Sequence, residues 1–188
     1  MTIIDAIQQG DVAALKLAIA ENPSSVNERD PNGIPALLLA LYYRRADCVH
    51  RLLDAGAEVD FHLACALDRA DDAARFLDAD PTLVSQLTPD GWTGLHLAAF
   101  FGAVEAARLL LSRGADPALR SDNQMANLPI HSAAAARQSG IVEMLLVAGS
   151  PTDDKQHGGY TPMDAALQNN DQATIDVLLR HAAKLPQK

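Results

Sequence analysis

Aromatic residues are scarce in this chain, at 4% of 188, and cysteine appears only twice. A core with so few rings must be built from small aliphatics, which suits thin helices stacked closely, and the alanine run 133–136 fits that need. The two thiols, Cys48 and Cys65, make no disulfide framework. Each falls on an apolar helix position and reads as a buried, reduced thiol. Basic runs are missing and the formal net charge is −9, so nucleic acid, which needs a concentrated Lys/Arg footprint, is not an expected partner. No stretch approaches the length of a membrane span. The N-terminus, MTIIDAIQQGD, has an acidic residue where a secretory leader is basic, and no long apolar run. These absences lead to the expectation of a cytoplasmic protein.

What is present is a repeated pattern, clearest over residues 90–122, DGWTGLHLAAFFGAVEAARLLLSRGADPALRSD. Leu95, Ala98 and Ala99 recur at the spacing of one helix face. Gly102 interrupts them, and a second helical pattern follows through Val104, Ala107, Leu110 and Leu111. Gly114 then stops that helix, with Asp116-Pro117 just beyond. The unit is two short antiparallel helices and an extended return. So short a unit cannot bury both sides of a helix pair and needs copies of itself.

The run GWTGLHLAA, then Gly102, then AARLLLSRGADP resembles the ankyrin repeat, with its T-P-L-H-x-A signature and a period of about 33 residues. Aligning on the signature histidine gives a column of Ile4, Leu38, His62, His96, His131 and Asp164, in steps of 34, 24, 34, 35 and 33 residues. The resemblance covers the chain as six repeats, approximately 1–31, 32–57, 58–89, 90–122, 123–157 and 158–188. It implies an all-α repeat solenoid, a single domain of helix-turn-helix units joined by β-hairpin or loop fingers, with the first and last repeats as caps.

Local chemistry refines the repeats. Thr2 and Asp5 have the spacing of a capping box, and Gln8 and Gln9 are polar where later repeats are apolar, as suits an end cap. The 24-residue step leaves no room for a finger between repeats 2 and 3. ENPSSV at 21–26 and ADPTLV at 79–84 resemble each other, so repeats 1 and 3 end alike. The connector into repeat 5 is two residues longer than standard and contains Asn123, Gln124 and Met125. Thr161 is the expected N-cap of the sixth repeat, with Pro162 at the first helical position, and a polar tail closes the chain over 181–188.

Catalytic signals are nearly absent. His157-Gly158-Gly159 lacks the lysine and spacing of a phosphate loop and reads as a turn. His62, His96 and His131 share the signature register, and the resemblance implies that they hydrogen-bond backbone between neighbouring loops. Asp153, Asp154 and His157 read as solvated turn residues before they read as metal ligands. No cofactor and no metal is expected, and no nucleophile stands beside an obvious base.

The aromatics carry the functional reading. The family pattern leaves free the residue after the first glycine, occupied by Trp92 and Tyr160, and the pair before the inter-helix glycine, occupied by Tyr42-Tyr43 and Phe100-Phe101. These six should line a concave strip with alanine floors between aromatic ridges, a form suited to a protein partner. Arg44 and Arg137 stand at the inter-helix glycine position, and with Arg45 they would form a cationic rim. With Met125 at a finger tip, the expected contact set is Tyr42, Tyr43, Arg44, Arg45, Trp92, Phe100, Phe101, Met125, Arg137 and Tyr160. The expected function is non-catalytic binding of a partner protein by a monomer. The rivals are a homodimer with the aromatic strip as its seam, and a hydrolase using His157 with Asp153 or Asp154.

Overall fold

A computed structural model of the chain describes residues 1–183; the part of the expected polar tail beyond 183 lies outside them. Among the described residues there are twelve α-helices and two short 3-10 helices, and the only strand pairing is two isolated antiparallel bridges, Arg29 with Pro35 and Leu87 with Thr93. By its contacts the chain divides into two compact units, Met1–Leu63 and the residues from Ala64 onward, and the division falls inside a helix.

The first unit contains α1 (Ile3–Gln9), α2 (Val12–Glu21), α3 (Ala36–Tyr42) and α4 (Ala46–Asp54), and the start of α5 (Phe61–Ala66). The capping box at Thr2 and Asp5 satisfies two orphan amides of α1, and Ile3, Ile4 and Ile7 are buried on one face. Gln8 and Gln9 are exposed, as an end cap requires. Helix α1 packs on α2 and α3, and α4 packs on both α2 and α3. Only residues 57–60 separate the Gly56 turn from α5, so the finger is cut short as the repeat spacing predicts. Asp60 begins α5 by accepting the Leu63 amide at 2.9 Å.

The second unit continues with α6 (Ala70–Ala79), α7 (Gly94–Phe101), α8 (Val104–Ser112), α9 (Pro129–Ala135), α10 (Ser139–Val147), α11 (Pro162–Gln168) and α12 (Gln172–Ala182). Helices α7, α9 and α11 lie side by side as an inner row; α6, α8, α10 and α12 form the outer row. The core between them is Leu, Ile and Ala, with Leu95, Leu97, Ala106, Ala107, Leu110 and Ile130 inaccessible or nearly so. The recurring ENPSSV and ADPTLV segments both close into 3-10 helices, Pro23–Asn27 and Pro81–Ser85.

Each inner helix needs a cap, and the sequence supplies it differently. Thr93 and Thr161 cap α7 and α11 through their hydroxyls, with His96 and Asp164 answering from three residues on. Repeat 5 has Leu128 at this place, with no hydroxyl, so His131 Nδ1 alone accepts the Leu128 amide at 3.2 Å. Both cysteines are buried and unbridged, Cys48 in α4 and Cys65 in α5. Burial pushes the Cys48 thiol up, away from the reactive thiolate.

Candidate interaction surface

In each repeat the turn between the two helices is left-handed. The residues there are Gly10, Arg44, Asp68, Gly102, Arg137 and Asn170, all with φ between 52° and 76°. Arg44 and Arg137, at the inter-helix glycine position, take the glycine's left-handed backbone, at φ 53° and 62°. Asp68 and Asn170 share the column although the sequence reading passed over them.

What these side chains do differs. Asp68 Oδ1 accepts the Ala106 amide at 2.8 Å, so it caps α8 from the preceding repeat; Ala103, at that helix's own N-cap, has no side-chain acceptor. The Arg137 guanidinium donates to the Asn169 carbonyl, and Asn169 Nδ2 returns a bond to the Ala135 carbonyl at 3.0 Å. Arg45, one place beyond the column, donates through Nη2 to the Gln8 carbonyl at 3.1 Å and lies against Gly10. The expected cationic rim is therefore partly structural: Arg45 and Arg137 each tie one repeat to another. Arg44 makes no side-chain hydrogen bond or ion pair among the described residues.

This contrast has a measurable consequence. A left-handed non-glycine is strained by about 1–2 kcal/mol, and a new glycine loosens the unfolded chain by about 0.5–1 kcal/mol. Arg44→Gly should therefore stabilise the protein by about 0.5–1 kcal/mol in urea unfolding. Arg137→Gly also loses its bond to Asn169, worth about 1 kcal/mol, so it should gain nothing. An equal gain from both would show that the Arg137 bond contributes nothing.

The aromatics are less free than the family pattern implies. Trp92 is half-buried and lies 5.5 Å from the His96 ring between centroids, so it covers that buried imidazole. Phe100 and Phe101 are half-buried and meet edge to face at 5.2 Å. Tyr42 is also half-buried. Of the six, only Tyr43 and Tyr160 are exposed, at 45% and 55%, joined by Met125 at 48%. Of the two remaining aromatics, Phe76 is half-buried and Phe61 is buried. Sequence reasoning missed Val147, 78% exposed on the outer helix α10; the period-3.6 pattern there counts it as one more apolar residue.

The fingers of the second unit are laced together. The Asp122 amide donates to the Gly91 carbonyl at 2.9 Å, and Asn123 Nδ2 donates to the Asp90 carbonyl at 3.0 Å. The His157 amide donates to the Met125 carbonyl at 2.9 Å, which holds the extended connector against the last finger. Arg120 reaches the Ala126 carbonyl at 2.6 Å, the Lys155 carbonyl at 3.2 Å and both Asp154 oxygens. In the first unit the Gly33 carbonyl, which corresponds to Gly91, is taken by Arg29 of its own finger at 2.9 Å.

Two of the signature histidines do what the resemblance implies. His96 Nε2 donates to the Asn127 carbonyl at 3.0 Å while its Nδ1 lies 2.8 Å from the Thr93 hydroxyl, which sets the neutral Nε2–H tautomer. His131 Nε2 donates to the Asp154 carbonyl at 3.0 Å. Burial lowers the pKa of both, that of His96 to about 4. The Asp154 carboxylate is engaged by Arg120, and no group of three or more His, Cys, Asp or Glu among the described residues could hold a metal ion. No helix among them is long and apolar enough to cross a membrane.

Paired helices, left-handed inter-helix turns and laced fingers define an all-α repeat protein. The family described as ankyrin repeats (3 copies) matches residues 3–121 and 61–156, and the chain belongs to it. Neurogenic locus notch homolog protein 1 of Mus musculus is 29% identical over 159 residues, 84% of this chain and 6% of that protein. NF-kappa-B inhibitor alpha of Gallus gallus is 34% identical over 98 residues, 51% of this chain and 31% of that protein. An ankyrin repeat protein of Escherichia coli (strain K12), YahD, is 27% identical over 192 residues, 95% of this chain and 94% of that protein. The chain thus spans only 6% of the notch relatives that it matches, but nearly the whole of YahD. Ankyrin repeats are generally non-catalytic modules of protein–protein interaction.

Proposed function

We propose that this protein is a non-catalytic binding module that engages a partner protein through the exposed inner-helix ends and finger connections of its two units. The observation that carries the reading is the pairing of Met125 and Tyr160. Both are large, about half exposed, and set on neighbouring connections that the His157–Met125 backbone bond locks together. Large side chains kept in solvent on a rigid support are what interfaces use as anchors. Phe100, Phe101 and Trp92 add half-buried apolar surface, and Tyr43 is an exposed aromatic of the first unit. The hydrolytic alternative has no support in the placement of His157, whose ring is exposed with no partner among the described residues.

The test is capture from a native lysate by the wild type, by Met125→Ser/Tyr160→Ser and by Tyr43→Ser. Exposed substitutions of this kind should shift stability by no more than about 0.5 kcal/mol, which circular dichroism melts will check. A protein retained by the wild type and reduced at least about tenfold by the double variant is the expected result. Equal retention by all three would remove these anchors from the site.

A further inference from the structure

We propose that the corner formed by Tyr43, Arg44 and Arg45 at the end of α3 binds the side-chain carboxylate of an acidic segment in a protein partner. This deepens the protein-binding reading and rests on it. Four residues hold the left-handed inter-helix turn without being glycine: Arg44, Asp68, Arg137 and Asn170. Asp68 caps α8, Arg137 ties α9 to α11 through Asn169, and asparagine is a residue type that visits this conformation readily. Arg44 alone is strained with no bond or ion pair from its side chain among the described residues. Asp47, three places on, does not pair with it.

The chemistry of the corner selects its ligand. Arg45 is fixed, because its Nη2 donates to the Gln8 carbonyl and its guanidinium occupies the space above Gly10. Arg44 is therefore followed in the chain by a second positive charge that is already tied to the first repeat. An anion that binds Arg44 is also drawn by the neighbouring Arg45 charge, and the planar fork of N–H donors matches a carboxylate. Tyr43, exposed at 45%, adds an amphipathic wall. Asp11 and Asp47 act on the same Cys48 thiol as Arg45, whereas Arg44 has no carboxylate partner among the described residues, so charge complementarity favours an acidic partner at Arg44.

The probe is an array of random peptides tethered by their C-termini, so that only side chains offer a carboxylate. Wild type should retain Asp- or Glu-containing peptides at least about tenfold over their Asn or Gln counterparts, with the preference falling as salt rises. Arg44→Gly should fold at least as well as wild type and lose the preference, and Arg44→Glu should turn it toward Lys- and Arg-containing peptides. An acidic preference kept by Arg44→Gly would overturn the assignment. Retention of neutral aromatic peptides with no acidic preference would also overturn it, while leaving the protein-binding reading in place. No retention of any peptide by the wild type, together with equal lysate capture by the anchor variants, would remove both. A preference seen only on a second array with free C-termini would move recognition to a terminal carboxylate and defeat the side-chain proposal.

Discussion

Gly91→Ala should destabilise the protein by about 3–5 kcal/mol, the largest loss expected from any single methyl group here. Two causes combine. Gly91 has φ +82°, where an L side chain is strained. A Cβ at that place would also lie 2.2 Å from the Asp122 carbonyl oxygen and 2.6 Å from its carbon, and these are backbone atoms of the next finger that cannot swing aside. Moving them would break the Asp122–Gly91 and Asn123–Asp90 bonds that lace the fingers. Gly102→Ala has nearly the same φ, +76°, but the nearest atoms to its Cβ would be those of the flexible Gln138 side chain. It should cost about 1–2 kcal/mol. Urea unfolding of the two variants side by side isolates the backbone clash; equal losses would mean that the fingers yield more easily than their hydrogen bonds imply.

The second large effect is on pH. His96 is fully buried, and desolvation lowers its pKa from 6.5 to about 4, opposed by its bond to the Asn127 carbonyl. The unfolded chain therefore binds a proton between those values that the folded chain refuses. Stability from this group is complete above about pH 6.5 and falls as pH drops toward 4, by about 3 kcal/mol at about 1.4 kcal/mol per tenfold difference in proton affinity. His131, also lowered by burial, adds in the same direction. The exposed carboxylates Asp5, Asp80 and Asp164, held below 3.8 by bonds to Thr2, Thr82 and Thr161, lose their contribution at still lower pH. Denaturant unfolding at a series of pH values between 7 and 4 should give a rising loss in wild type and a much shallower one in His96→Gln, whatever the variant's stability at pH 7. Parallel slopes would show that the imidazole is not the group responsible.

Much of this was legible in the sequence because it is local or periodic. The helix pairs follow from apolar spacing, the caps of α1 and α11 from a hydroxyl and a carboxyl three residues apart, and the strain at Arg44 and Arg137 from register alone. The short finger before α5 follows from a count of residues. Legibility failed where the answer lies in the neighbouring repeat. Asp68 looks like a turn residue until α8 is seen to lack its own cap. Trp92 looks free until the His96 ring is found beside it, and nothing local at Asn127 signals that its carbonyl accepts from both His96 and Ser121. The same holds for the proposed surface: sequence register named ten residues, and packing left Tyr43, Arg44, Met125 and Tyr160 as the accessible, least committed ones.

The two buried thiols lie one on each side of the division between the compact units, Cys48 before it and Cys65 after it. Neither is bridged, and both are closed to solvent at 0–1% exposure. A thiol reagent can modify either one only while its surroundings are transiently open, so each cysteine is a built-in clock for the breathing of its own half of the chain. Labelling at matching rates would mark a single cooperative opening, and labelling at different rates would rank the halves by stability, without a probe having to be introduced.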